Sequence, residues 1–259
     1  MKKVKYYISD KKWQMVMALS FIICHLSFSH AVAQQYTGMA GLIHVPSADM
    51  DSAGVARIGL HYVDKEMIPD GMKLDKEKFN SLTNYLSITP FRWIEVGYGY
   101  TLWKLHKNHD KNLHTGFYAK DRYLSLRLQL LYEGTYWPSV VVGGTDVWGS
   151  GDDGLSGSNY YRNFYVAATK HLEVGCGTVG THLAYRKWKR DYNHKWNGVV
   201  GGLTFQPSFY PPLRFIGEWD GTEVNVGADC TIYKYFLLQA SLQRFRHFSG
   251  GLCFRLSLL

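Results

Sequence analysis

The sequence predicts an all-β fold, a closed antiparallel transmembrane β-barrel of about twelve strands, with ten or fourteen as near alternatives. Three observations carry that expectation. Apolar and polar residues alternate with period two in successive segments, with no helical apolar stripe among them. The connections between segments run alternately long and short. The aromatic supply, 19 Tyr, 13 Phe and 8 Trp, falls largely at segment ends, where an amphipathic ring prefers the headgroup level of a bilayer.

An export signal precedes the first segment. Lys2, Lys3, Lys5, Lys11 and Lys12 lead into the apolar run 15–28, which ends in Ala31-Val32-Ala33, a small-x-small cleavage site. The run is too short, and too interrupted by His25 and Ser27, to cross a bilayer as a helix. Residues 1–33 therefore read as a signal peptide and 34–259 as the barrel domain. A lipidated Cys24 is the competing reading, disfavoured by the bulky Ile23 before it. Removing five lysines and one aspartate leaves 24 basic against 20 acidic residues, net +4 in place of +8, so much of the basicity is targeting and no nucleic-acid partner is expected. The remaining Cys176, Cys230 and Cys253 lack CxxC or zinc-site spacing; they read as small strand residues, with a disulfide between two of them as the alternative.

Twelve strands can be read in order. Segments 56–63, 81–89 and 93–102 alternate weakly. Leu124, Leu126, Leu128, Leu130 and Tyr132 then alternate clearly with Ser125, Arg127, Gln129 and Leu131. Weaker alternation returns at 139–147, 163–170, 172–181, 196–205, 213–220 and 222–232. Phe236, Leu238, Ala240 and Leu242 form the eleventh set, and Leu252, Phe254, Leu256 and Leu258 the twelfth. Loops 64–80, 103–122, 148–162 and 182–195 are long, whereas those at Pro90, 133–138, His171 and 206–212 are shorter. Short periplasmic turns against longer outer loops, with both termini inside, is the outer-membrane pattern. Tyr98, Tyr100, Trp103, Tyr132, Tyr136, Trp137, Trp148, Tyr160, Tyr161, Trp188, Trp196 and Trp219 would supply the interfacial girdle. Ser249, Gly251, Phe254 and Leu256 partly match the pattern of barrel C-terminal strands.

Candidate chemistry is sparse. Gly149-x-Gly151-x-x-Gly154 spells a dinucleotide fingerprint, but the fingerprint works only where a helix begins inside it. The next residues are "LSGSNYYRNFY", small breakers and then β-formers, so the glycines read as an outer loop and no cofactor is expected. In loop 104–114, His106, His109 and His114 stand among Lys104, Lys107 and Lys111, which disfavour a cation, and no metal site is expected. With Arg186, Lys187, Lys189 and Arg190, read as another loop, they offer a basic surface to lipopolysaccharide phosphates. Ser, His and acids are present without a G-x-S-x-G elbow or H-E-x-x-H, so no catalytic residue is assigned and the chain reads as a non-enzyme. A membrane-embedded hydrolase and a structural or adhesive protein are the alternatives. Parity places Arg57, His61, Glu95, Arg127, Gln129, Glu218, Gln239, Gln243 and Arg255 toward the lumen. Ion pairs among them would close it and favour a scaffold over a pore.

The stretches "GLIHVPSAD" (41–49), "PFRWIEVGYGY" (90–100) and above all "PSVVVGGTDVWGSG" (138–151) resemble the YjbH family of outer-membrane exopolysaccharide proteins. "FYVAATK", "PLRFIGEWDG" and "NVGADC" resemble its later strands. The motif positions are Pro138, Ser139, Gly143, Asp146, Gly149 and Gly151. The resemblance implies an outer-membrane barrel of a Gram-negative cell, acting as conduit or scaffold in secretion or assembly of an extracellular polysaccharide or capsule. Its implied partners are outer-membrane lipid and lipopolysaccharide, the polysaccharide and periplasmic secretion proteins. Members with the full architecture are longer, and this chain corresponds to one barrel module; no catalytic residue carries over.

Overall fold

The computed structural model describes residues 34–148 and 159–258. The expected signal peptide 1–33 lies outside the described residues, as do Gly149, Gly151 and Gly154. Among the described residues the strands are β1 (Val55–Val63), β2 (Ser81–Phe91), β3 (Ile94–His106), β4 (Thr115–Leu131), β5 (Ser139–Thr145), β6 (Asn163–Val174), β7 (Gly177–Trp188), β8 (Gly198–Pro207), β9 (Leu213–Trp219), β10 (Val224–Ile232), β11 (Phe236–Gln243) and β12 (His247–Ser257). Each pairs antiparallel with its sequence neighbours, and β12 returns to β1 with Val55 opposite Ser257 and Tyr62 opposite Gly250. Closure leaves no sheet edge with unpaired backbone, the condition a sheet must meet in hydrocarbon.

The period-two pattern sorts the side chains. In β1, Arg57, Gly59 and His61 point inward, while Ile58, Leu60 and Tyr62 point outward. The outer face carries Leu86, Leu130, Val166, Leu183, Val199, Leu203, Phe215, Leu238 and Leu252, all exposed to solvent in the isolated chain. An apolar band of this extent is a surface for lipid tails, not for water. Inside, small residues face large ones across the ladder: Gly143 lies opposite Tyr165, and a Cβ there would come within 2.9 Å of both the Tyr165 ring and Arg127 Cγ.

Three boundaries differ from the sequence reading. The turn expected at His171 falls at Gly175-Cys176, because β6 continues through Glu173 and pairs with β7 as far as Val174 opposite Gly177. As a result 182–188 is strand, not loop, and Arg186 faces inward at 2% exposure. The loop expected at 103–122 shrinks to 107–114, since β3 and β4 stay paired to His106 opposite Thr115. Tyr161, Trp188 and Trp196 do not join a girdle; all three are buried inside the barrel, whereas Tyr98, Tyr132, Trp137, Trp148 and Trp219 are exposed. Cys176, Cys230 and Cys253 are free thiols.

Candidate functional site

The lumen is filled by the chain's own N-terminal segment. Every residue from Gln34 to Ala48 is buried, and the segment folds back on itself through bridges between Gln34 and Ala40 and between Gly41 and Pro46. The hydrogen bonds and ion pairs of 34–51 reach nine strands around the wall, an arrangement only a lumenal segment can satisfy. Gly41 and Pro46 set the turn, and the lack of alternation in "GLIHVPSAD" keeps it out of the sheet.

Glu218 on β9 is the principal anchor. Its carboxylate accepts the backbone N–H groups of Ile43 (3.0 Å), His44 (2.9 Å) and Val45 (3.1 Å), and the Asn225 amide at 2.9 Å. Successive amides converging on one carboxylate make an anion nest, here with the anion supplied by the wall. Glu95 on β3 accepts the Ala40 N–H at 3.2 Å and pairs with Arg127 of β4 at 2.6 Å. The Arg127 guanidinium also donates to the Ser47 and Asp49 carbonyls, the latter at 2.9 Å. Arg186 donates to the His44 carbonyl at 2.7 Å, Gln239 to the Leu42 carbonyl at 3.2 Å, and Tyr85 to Gln34 at 3.0 Å. Thr169 Oγ1 accepts the Ala48 N–H at 2.8 Å. Where the segment leaves the lumen, Asp51 pairs with Arg57 at 2.5 Å and lies 3.5 Å from Arg255. The backbone polar groups of an irregular segment are thus satisfied by the wall, as burial requires.

The opposite end is sealed by apolar packing. His44 lies between Tyr36, Trp188 and Trp196, with ring centroids 5.4, 6.0 and 4.7 Å away. Loop 64–80 folds inward, burying Met67, Ile68 and Met72, and the Met67 carbonyl accepts the Tyr36 hydroxyl. Burial and the Arg186 charge push His44 down to about 4, so the ring is neutral at pH 7 although Asp220 lies 3.5 Å from Nδ1. Burial opposes ionisation of Asp220, but His44 and the amides of Thr222 and Glu223 outweigh it and hold this carboxyl below the usual range.

The structure sorts the residues singled out by parity. Arg57, Glu95, Arg127, Glu218 and Gln239 all contact the segment, and His61 bonds Gln239 at 2.9 Å. Gln243 is buried on the inner side, and Arg255 is half-buried beside Asp51. Gln129 is half-buried, donates to the Leu131 carbonyl near a short turn, and borders a cavity together with Asp49 of the segment. Of the motif residues, Pro138 ends a turn, Ser139 donates to the Thr169 carbonyl, Gly143 makes room for Tyr165, and Asp146 takes φ +57° just past β5. Gly149 and Gly151 lie outside the described residues. Sequence pattern alone does not single out Asp220, Thr169 or Tyr85 as contacts of the segment. Arg186 carries a usable signal, its inward parity, once β7 is given its full length.

The YjbH family model, "Exopolysaccharide biosynthesis protein YbjH", matches residues 33–257. No curated protein matches the sequence. Among solved structures the chain is similar to outer membrane phospholipase A from Escherichia coli, at 11% identity and TM-score 0.33 over 80% of this chain and 96% of that one. It is also similar to a Salmonella typhi outer membrane phospholipase dimer with bound calcium, at 12% identity and TM-score 0.35 over 79% and 90%. At that identity and superposition neither likeness bears on what this chain does. The family match spans all twelve strands and the lumenal segment alike, and the chain belongs to the YjbH family of exopolysaccharide biosynthesis proteins.

Proposed function

We propose that the protein is exported by its N-terminal signal peptide to the outer membrane of a Gram-negative cell. There it serves secretion or assembly of an exopolysaccharide as a closed, non-catalytic scaffold. The lumenal segment carries this reading: a barrel whose interior is packed with 34–51 offers partners its rims and loops, not a standing channel. The apolar outer band supports insertion in lipid, and lipopolysaccharide is the matching outer-leaflet neighbour for the basic tip of the β3–β4 hairpin, 104–114. Polysaccharide and periplasmic secretion proteins are the partners this role implies.

The test locks the segment in place. In a chain with Cys176, Cys230 and Cys253 replaced by serine, cysteines at Met39 and Gly97, which adjoin in the lumen, are oxidised to a disulfide. A scaffold restores exopolysaccharide export to a deletion strain with the disulfide formed as fully as without it. Export restored only by the reduced form means that the segment must move and that the barrel is a conduit.

A further inference from the structure

A second cluster of functional groups lies where the lumenal segment leaves the barrel. Asp49 of the segment faces His171 of β6 and His182 of β7, with His171 Nε2 3.6 Å from Asp49 Oδ1 and His182 Nδ1 3.9 Å from Asp49 Oδ2. The two imidazoles stand on adjacent strands with ring centroids 5.9 Å apart, and one donor atom from each of the three residues lies within 4.8 Å of the others. Among the described residues no other group of histidines, cysteines and carboxylates converges in this way. The histidines of loop 104–114 do not: His106 turns to Asp75 and His114 to Tyr118.

We propose that Asp49, His171 and His182 bind a divalent transition-metal ion of the zinc class and that the ion staples the lumenal segment to the barrel wall. Four-coordinate zinc with bonds of ~2.0–2.1 Å sets neighbouring ligand atoms about 3.3 Å apart. His171 reaches Asp49 through Oδ1 and His182 through Oδ2, so with one oxygen in the shell the carboxylate must turn, and the half-exposed His171 ring move inward, to bring donor atoms now within 4.8 Å of one another to that spacing.

The surrounding bonds aim the ligands. His171 Nδ1–H donates to Glu133 Oε2 at 2.8 Å, which leaves the Nε2 lone pair facing Asp49, the carboxylate–histidine arrangement that orients metal-bound imidazoles. His182 Nε2–H donates to Thr204 Oγ1 at 3.1 Å, leaving Nδ1 as the acceptor beside Asp49. Thr169 occupies that lone pair at 3.0 Å, and its hydroxyl must rotate when the ion binds; its oxygen still accepts the Ala48 N–H. Ser47 holds Asp49 Oδ2 at 2.9 Å.

Of the nearby cations, Lys170 pairs with Glu133 and Arg214 with Asp229, while Arg92 lines the cavity that Asp49 also borders. The fourth position opens on a cavity of about 280 Å³ lined by Asp49, Gln129, Glu133 and Ser139, from which water completes the shell. Two imidazoles with one carboxylate suit zinc and disfavour calcium and magnesium, which take oxygen ligands. The binding site stands whether or not the barrel serves exopolysaccharide traffic.

Titration calorimetry of the full chain in detergent tests the site, using Cys176→Ser to remove the exposed thiol that would compete for zinc. Zinc should bind one to one at micromolar affinity or better, and magnesium and calcium should not bind. His171→Gln, on a half-exposed side chain, should weaken zinc at least 100-fold, and Glu133→Gln about tenfold. Both variants should keep the heat-modifiable mobility of the folded barrel. X-ray absorption of the zinc form should show two imidazoles. No stoichiometric zinc binding by the unmutated site, or equal binding by folded His171→Gln, overturns the proposal.

Discussion

Replacing Glu218 by alanine should release the lumenal segment locally without opening the sheet. The substitution removes the acceptor of three buried amides, Ile43, His44 and Val45, together with the partner of the Asn225 side chain. A hydrogen bond to a charged group contributes roughly 1.5–3 kcal/mol, so three would sum to about 4.5–9 kcal/mol if nothing relaxed. Water entering the vacated space recovers part of that, leaving a local loss of about 3–4 kcal/mol. At about 1.4 kcal/mol per factor of ten, the three amides should exchange hydrogen roughly 100- to 1,000-fold faster. Hydrogen–deuterium exchange of the peptide spanning 41–46 in detergent reads this directly. Strand amides of β9 and β10, held by the ladder and not by the carboxylate, should keep their protection. Glu218→Gln, which retains one acceptor oxygen, should fall between wild type and alanine. Wild-type protection of 43–45 in Glu218→Ala would refute the assignment of Glu218 as the anchor.

Other substitutions address other parts of the design. His44 has a usual value of about 6.5 when the segment is released and about 4 when it is enclosed. The released form therefore binds the extra proton first, and the closed form should lose about 3 kcal/mol as pH falls from 6.5 to 4. Asp220, held low, stays ionised across that window and does not cancel the effect. Exchange of peptide 41–46, corrected for intrinsic rates, should rise over that range in wild type but stay flat in His44→Gln. Arg127→Ala strands the Glu95 carboxylate in the wall and should lower stability by about 3–5 kcal/mol in urea titrations in vesicles; Arg127→Met with Glu95→Leu should recover most of it. Ile58→Arg, in the middle of the outward face of β1, should cost roughly 2–4 kcal/mol in the same assay, whereas a soluble barrel would tolerate it.

The strands are readable because each is amphipathic over its own length: Leu124 to Leu130 declares β4 from its own residues. Boundaries are less so. Val174-Gly175-Cys176 keeps β-forming residues on both sides of its turn, so alternation runs on across the real break and carries Arg186 into a supposed loop. The inward set is readable by parity, but its purpose is not. Arg and Glu in a lumen imply ion pairs, and Arg127 with Glu95 is one. Nothing local to Glu218 says that it serves amides 173 to 175 residues earlier, because that contact exists only after the barrel has closed around the N-terminus. The same holds for Asp49, His171 and His182, which share no spacing that a motif could record. Trp188 and Trp196 mimic girdle residues in sequence because a sealed lumen and a headgroup layer both accept strand-end aromatics.

If residues 34–51 close the barrel, removing them should open it. Single-channel recording in planar bilayers reads this without intermediates, comparing the chain that begins at Gln34 with one lacking 36–48. The intact chain should be silent and the deleted one should conduct, since the deletion empties the lumen and removes Tyr36 and His44, against which loop 64–80, Trp188 and Trp196 pack to seal the far end. Steady openings in the intact chain, or silence in a correctly folded deletion, would contradict the closed-barrel reading.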